Sequence, residues 1–176
     1  MKKRILAISG STRSLSANAY LIQIIAYLTR DIYEIDVFEG IAQLPYFNPD
    51  LDGDHPPAEV DAFRKQILDA DGLLICTPEY VFSLPGSLKN ALEWMVSTVI
   101  LTDKPTGLIT ASASGKKGHA ELKLVMKTIG AKFTPKTQLL ISGIRSKLDK
   151  VGNLTDEQTR LELHAFLAAF DKLLKK

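Results

Sequence analysis

The fold is decided by the stretch Ile5-Leu6-Ala7-Ile8-Ser9-Gly10-Ser11-Thr12-Arg13-Ser14-Leu15-Ser16-Ala17-Asn18. It opens on an uninterrupted apolar run, which is typical of a strand covered on both faces in a parallel sheet. The run ends in a short loop rich in hydroxyl groups, and the loop leads directly into an amphipathic segment over residues 17–30. This order of strand, polar loop and helix predicts the first unit of an α/β domain.

Further apolar runs of the same kind occur at Leu73–Cys76, Gly107–Ile109 and Leu139–Ile141. Near residues 33–37 apolar and acidic residues alternate instead, which favours an exposed edge strand. Helical periodicity covers 57–69, 86–97 and 119–130, and the stretch Thr155-Asp156-Glu157-Gln158 predicts a capping box for a last helix. The chain therefore predicts a doubly wound α/β domain over residues 1–176. We expect a five-stranded parallel sheet of order 2-1-3-4-5 with helices on both faces.

Composition excludes several classes of protein. The chain has 176 residues, of which 45% are hydrophobic and 24% charged, as expected for one globular domain. It has one Cys, which excludes a disulfide framework, and its three His residues lack ligand spacing, so we expect no metal site. A net charge of +2 is too small to favour nucleic acid as a partner. No apolar run approaches the roughly 18 residues of a membrane span, so we expect a cytoplasmic protein.

The loop Gly10–Asn18 follows the first predicted strand and suits an anion. The amino end of a helix offers free amides and a partial positive charge, and Arg13 adds a guanidinium group. The alternative is plain capping of the helix by Ser16 or Asn18. The loop lacks the sequence patterns of a P-loop nucleotidase, of a Rossmann dinucleotide site and of a cysteine phosphatase.

Two further loops follow predicted strands at Thr77–Gly86 and Ala111–Gly118. In the first, two prolines restrict the backbone, and Tyr80 and Phe82 could flank a flat ring. In the second, small residues allow close approach to the backbone. The alternatives are a rigid packed turn and an exposed surface loop. Because parallel topology gathers all three loops at one edge, together they outline a site for flavin mononucleotide (FMN).

Three motifs carry a resemblance to a known family. The pattern G-S-x-R-x-x-S-x-N stands at Gly10–Asn18, and a pattern similar to P-E-Y-N-x-S-x-P-G-x-L-K-N-A-x-[DE]-W runs from Pro78 to Trp94. The loop L-P-x-[FY]-[ND] is matched at Leu44–Asn48. With these motifs the chain resembles the flavodoxin-like NADPH-dependent FMN reductases, which include quinone, chromate and azo-dye reductases. It departs from them at Val81, where Asn is usual, and at Lys116–His119, where a Gly-Gly pair is common.

The resemblance implies an enzyme that passes hydride from NADPH or NADH through FMN to a quinone, azo dye, metal oxyanion or free flavin. It implies ping-pong kinetics and no catalytic side chain; Glu79 is the nearest acid–base candidate, with a solvated or capping carboxylate as the alternative. One competing function is a flavodoxin-like electron carrier, which the mild positive charge disfavours. Another is a non-catalytic domain that has lost the flavin, which the intact loop Gly10–Asn18 disfavours. The FMN-binding residues that the resemblance implies are Ser11, Arg13, Ser16, Ala17, Asn18, Pro78, Glu79, Tyr80, Val81, Ser112, Ser114 and Gly115.

Three other features lead to expectations. The long loop Glu39–Pro56 holds Leu44, Tyr46 and Phe47, which would be costly to expose. We therefore expect it to pack on a second subunit beside the flavin, in a homodimer or homotetramer. The segment Arg145–Lys150 is expected to be a solvated surface, and Cys76 a buried, inert thiol.

Overall fold

The strands of the computed structural model, which describes residues 2–175, form one parallel sheet. The ends of the predicted domain, Met1 and Lys176, lie outside the described residues. The sheet has the order β2-β1-β3-β4-β5, as predicted. Its strands are β1 (Lys3–Ser9), β2 (Tyr33–Phe38), β3 (Gly72–Thr77), β4 (Thr106–Ser112) and β5 (Gln138–Ser142).

The register aligns the carboxyl ends of the inner strands. Ser9 pairs with Cys76, Thr77 with Thr110, and Ser112 with Ser142. The loops that follow these strands therefore meet at one edge of the sheet, which is the edge where open α/β sheets bind their ligands.

The helices connect the strands and cover both faces of the sheet. They are α1 (Ala17–Thr29), α2 (Ala58–Asp69), α3 (Gly86–Glu93), α4 (Lys116–Thr128), α5 (Ile144–Lys147) and α6 (Glu157–Leu174). Short 3₁₀ turns lie at Gly40–Ala42, Pro49–Leu51 and Pro135–Thr137. In the part of the chain that the structure describes, no helix is both long enough and apolar enough to cross a bilayer.

The predicted boundaries of three helices were wrong. Helix α4 begins at Lys116 rather than at 119 and ends at Thr128 rather than at 130. Helix α3 ends at Glu93 rather than at 97, because the Met95 and Val96 amides donate to the carbonyls three residues back, at 3.1 and 3.0 Å, and tighten the chain. Helix α6 is capped by Asp156 rather than by Thr155. The Asp156 side chain accepts the Thr159 amide at 2.9 Å, whereas the Thr155 hydroxyl donates to the Lys147 carbonyl.

Alternate residues of each inner strand enter two separate cores. On one face, Leu6 and Ile8 pack with the buried sides of α2, α3 and α4. On the other face, Ile5 and Ala7 pack with α1 and α6. Both layers exclude water from the sheet, as expected for parallel strands that read as continuous apolar runs.

The loop Glu39–Pro56 packs on its own chain. The expected subunit contact rested on Leu44, Tyr46 and Phe47 being costly to expose, and this reason was wrong for two of the three. Leu44 is buried, and the Phe47 ring meets Trp94 edge to face at 5.1 Å. The Trp94 indole and the Asn90 amide both donate to the Pro45 carbonyl, at 2.8 and 2.9 Å. Of the three, only Tyr46 projects outward, with 91% of its surface exposed.

Candidate active site

A cavity of about 810 Å³ opens at the carboxyl edge of the sheet. The loops after β1, β3 and β4 each contribute to its wall, as the parallel topology predicts. Nine of the twelve predicted site residues line it: Ser11, Arg13, Ser16, Ala17, Asn18, Pro78, Glu79, Tyr80 and Ser112. The other three, Val81, Ser114 and Gly115, are not among the lining residues.

The first loop presents the amino end of α1 to the cavity. The Ser16 hydroxyl caps the helix by accepting the Ala19 amide at 3.0 Å, and the Ser11 hydroxyl accepts the Arg13 amide at 3.3 Å. Within residues 2–175, the amides of Ala17 and Asn18 have no acceptor, and the Arg13 guanidinium forms no ion pair. Capping and anion binding are therefore compatible here, because the cap uses one amide and leaves two free.

The side chain of Asn18 stabilises the fold and is not free to bind a ligand. It is 98% buried, its amide donates to the Ala111 carbonyl at 3.3 Å, and its oxygen accepts the Cys76 thiol at 3.2 Å. It thereby fastens α1 to β3 and β4, and only its backbone amide is left for a ligand. Burial raises the pKa of the Cys76 thiol, so this Cys is an inert core residue, as predicted.

Glu79 is a cap for α4. One carboxylate oxygen accepts the Gly115 amide at 3.2 Å, and the other accepts the Gly118 amide at 2.7 Å. The Ser112 hydroxyl also donates to the Glu79 carbonyl at 3.3 Å. Of the interpretations left open from the sequence, the structure supports capping over acid–base chemistry. Glu79 thus joins the second loop of the site to the third.

Gly10 lets the first two loops lie against each other. A Cβ atom placed on it would meet the Thr77 hydroxyl oxygen at 2.1 Å and the Thr77 Cβ at 2.6 Å. The Gly10 amide donates to the Cys76 carbonyl at 2.9 Å. Only glycine allows this close approach, so the loops Gly10–Asn18 and Thr77–Gly86 share one wall of the cavity.

Val81 stands at a strained position of a tight turn. The backbone groups of Tyr80 and Ser83 exchange two hydrogen bonds, both of 3.0 Å, and the two residues between them have positive φ, 51° at Val81 and 59° at Phe82. Positive φ at both central positions is typical of a type I′ turn, in which Asn is favoured and a β-branched residue is not. This explains physically why Asn is usual at this position in the proteins that the chain resembles.

Replacing Val81 with Asn should therefore raise the free energy of unfolding, by about 1 kcal/mol, because it relieves left-handed strain at a residue that is 95% exposed. Urea denaturation measures the change. Val99→Asn is the matched control, since Val99 is also exposed but does not have positive φ, and it should stay within about 0.5 kcal/mol of wild type. Equal stabilities for both variants would contradict the assignment of strain to Val81.

A fourth segment of the cavity wall, Gly143–Asp149, was missed by the sequence reasoning. Arg145, Ser146, Asp149 and Lys150 are exposed, as predicted for a solvated segment, but the prediction missed that Arg145, Ser146, Leu148 and Asp149 line the cavity. A signal was present: the segment directly follows the apolar run Leu139–Ile141, so the end of β5 had to reach the same edge as the other strands.

Comparison with known proteins agrees with this geometry. The family model for "NADPH-dependent FMN reductase" matches residues 3–145. A 2-hydroxy-1,4-benzoquinone reductase from Burkholderia sp is 36% identical over 174 residues, which cover 95% of this chain and 93% of that protein. The NADH-dependent flavin reductase subunit 2 of Lactobacillus johnsonii is 32% identical over 184 residues, with coverages of 98% and 96%.

Among solved structures, the chain resembles FerB from Paracoccus denitrificans, described as a flavoenzyme NAD(P)H:(acceptor) oxidoreductase. The TM-score is 0.77 at 26% sequence identity, over 98% of this chain and 97% of that one. The expectations of a flavodoxin-like fold and of a flavin-dependent reductase that uses NAD(P)H are confirmed. This chain belongs to the NADPH-dependent FMN reductase family.

Proposed function

We propose that residues 1–176 act as one FMN-binding oxidoreductase domain, in which NAD(P)H reduces a small acceptor such as a quinone, an azo dye, a metal oxyanion or free flavin. The observation that carries the proposal is the shared cavity. It brings the free amides of α1 and the unpaired Arg13 together with the Pro78–Tyr80 loop. The quinone and flavin reductases to which the chain is similar support the quinone and flavin classes among these acceptors.

The residues present fit FMN. Amides, the Ser11 and Ser16 hydroxyls and Arg13 form a donor set suited to a phosphate, and the wall beyond them carries Tyr80 for a flat ring. Bound FMN would supply the hydride transfer chemistry. The chain's own residues bind and orient it: Gly10 brings the loops together, and Glu79 fixes the loop after β4 against the loop after β3.

Replacing Arg13 with Ala tests the site. We expect FMN affinity to fall about 10- to 150-fold, because a charge-assisted contact contributes about 1.5–3 kcal/mol. Quenching of flavin fluorescence measures the affinity, and circular dichroism checks the fold. Arg30→Ala, at the other end of α1, is the control and should bind FMN as wild type does. Unchanged affinity would remove Arg13 from the site, whereas unfolding would give it a structural role instead.

Kinetics distinguish this enzyme from an electron carrier. Since donor and acceptor would use the same cavity, the oxidised nicotinamide must leave before the acceptor enters, and double-reciprocal plots should be parallel, as in a ping-pong mechanism. Intersecting lines would contradict the shared cavity. A stable one-electron reduction without NADPH turnover would favour the flavodoxin-like carrier.

The proposal includes a homodimer or homotetramer in the cytoplasm, where NAD(P)H is supplied. Its support is the exposed apolar surface of Leu15 beside the cavity and of Val81 and Phe82 in the turn after Tyr80, together with Tyr46. Exposed apolar patches of this kind mark interaction surfaces. Sedimentation at micromolar concentration tests the assembly, and a monomer would contradict it.

A further inference from the structure

Arg145 is a second cationic residue on the wall of the cavity. It follows β5 in helix α5 and lines the same space as Arg13 and the amino end of α1. Across residues 2–175, neither guanidinium forms an ion pair with a carboxylate. Two unpaired guanidinium groups in one cavity produce a local positive potential that attracts an anion with several acceptor oxygens.

The backbone that carries Arg145 is held in place on both sides. The Gly143 amide donates to the Ala113 carbonyl at 3.0 Å, and Ile144 is buried in the core beneath α1 and α6. The Lys147 ammonium donates to Asp156 and Thr159 at 3.0 and 2.7 Å. Because these contacts fix the backbone of the segment before any ligand arrives, binding through Arg145 has to order only its side chain.

The cavity wall also carries a carboxylate, Asp149, which forms no ion pair with Arg13 or Arg145 in the part of the chain that the structure describes. Asp149 accepts the amides of Val151 and Asn153 at 2.9 and 2.8 Å, and the Asn153 side chain donates to its other oxygen at 2.9 Å. These hydrogen bonds hold the pKa of the Asp149 carboxyl below its usual value. Asp149 therefore stays ionised, but these hydrogen bonds occupy its oxygens within its own turn, and among residues 2–175 it forms no ion pair with Arg145.

We propose that Arg145 recognises the phosphate of FMN together with Arg13, so that the site discriminates FMN from riboflavin, which has the same ring and side chain but no phosphate. The inference rests on the proposed function and deepens it. It assigns a specificity role to a segment that lies outside both long sequence motifs, Gly10–Asn18 and Pro78–Trp94.

The test compares the affinities of the full chain for FMN and for riboflavin in wild type, Arg145→Ala and Arg145→Lys. Arg145→Ala should weaken FMN about 10- to 150-fold, as expected for loss of a charge-assisted contact, and change riboflavin less than about twofold. Arg145→Lys should recover part of the loss, since an ammonium keeps the charge but not the planar fork. Lys150→Ala is the matched control from the same exposed segment and should leave both affinities unchanged.

The outcomes separate this inference from the function on which it rests. FMN binding that is unchanged in Arg145→Ala, or FMN and riboflavin weakened equally, would overturn the phosphate role while leaving the flavin site intact. Absence of FMN binding by the wild-type chain would overturn the proposed function and this role with it. If Arg145→Ala lowers the melting temperature strongly, Arg145→Gln gives the same comparison of the two flavins.

Discussion

Replacing Asp52 with Ala should lower the free energy of unfolding by about 3–5 kcal/mol, since it leaves a buried guanidinium without its counter-charge. Asp52 and Arg64 form an ion pair of 2.6 Å, with side chains that are only 4% and 11% exposed. Most exposed ion pairs contribute far less, because water screens both charges. Burial is therefore the reason for the large expected effect.

Asp52 is part of a network that fixes the long loop. The Arg64 guanidinium also donates to the Trp94 carbonyl, at 3.1 Å from its Nε, and the Ser97 hydroxyl donates to Asp52 at 2.8 Å. Arg64 lies on α2, and Trp94 and Ser97 follow α3. One carboxylate thus ties the loop Glu39–Pro56 to two different parts of the fold.

Urea denaturation measures this prediction. The control is Glu93→Ala, which breaks the exposed ion pair between Lys89 and Glu93, whose side chains are 40% and 41% exposed. It should lower the free energy of unfolding by no more than about 0.5 kcal/mol. The double variant Asp52→Ala/Arg64→Met should be more stable than Asp52→Ala alone, because it removes the stranded charge. An Asp52→Ala protein as stable as the Glu93→Ala control would contradict the buried network.

The strands could be predicted from the sequence because each inner strand contains a short apolar run. Their order followed from the common topology of five-stranded doubly wound sheets. The helix ends were harder, because several hydroxyl and carboxyl groups stood near each boundary. Asp156 caps α6 instead of Thr155 because the Thr155 hydroxyl and amide both bond to the Lys147 carbonyl. That contact depends on the tertiary fold and leaves no local signal.

The functional site, like the fold, could be predicted from the sequence only in part. The loops after β1 and β3 were found because motifs and topology agreed, and the loop after β4 was found from topology. Arg145 was missed because no motif marks it. The motif from Pro78 to Trp94 also includes residues that serve the architecture. Asn90 and Trp94 hold the Pro45 carbonyl, and Glu79 caps α4. A resemblance in sequence does not separate residues that would contact a cofactor from residues that hold the loops around it.

His119 provides a pH dependence that the sequence did not predict. Its side chain is buried in α4, where Nδ1 lies 2.9 Å from the Thr110 hydroxyl of β4. Burial, with a smaller contribution from the charge of Lys123, lowers the pKa of His119 from 6.5 to about 4. The folded chain thus keeps a neutral imidazole at pH values where the unfolded chain takes up a proton.

Stability should accordingly fall as the pH is lowered from 6.5 toward 4, by about 3 kcal/mol in total, because only the unfolded state binds the proton over that interval. Asp156, whose pKa is held at about 2 by hydrogen bonds from Thr159 and Lys147, loses its stabilising contribution only at lower pH.

Urea denaturation at several pH values between 4 and 6.5 measures how steeply the stability depends on pH. His119→Asn keeps a polar atom near Thr110 and should make stability depend less on pH. His164→Asn, at an exposed position of α6, should retain the wild-type dependence. Since Thr110 and His119 join β4 to the helix that Glu79 caps, acid should loosen the third loop of the site. A wild-type slope in His119→Asn would contradict this assignment.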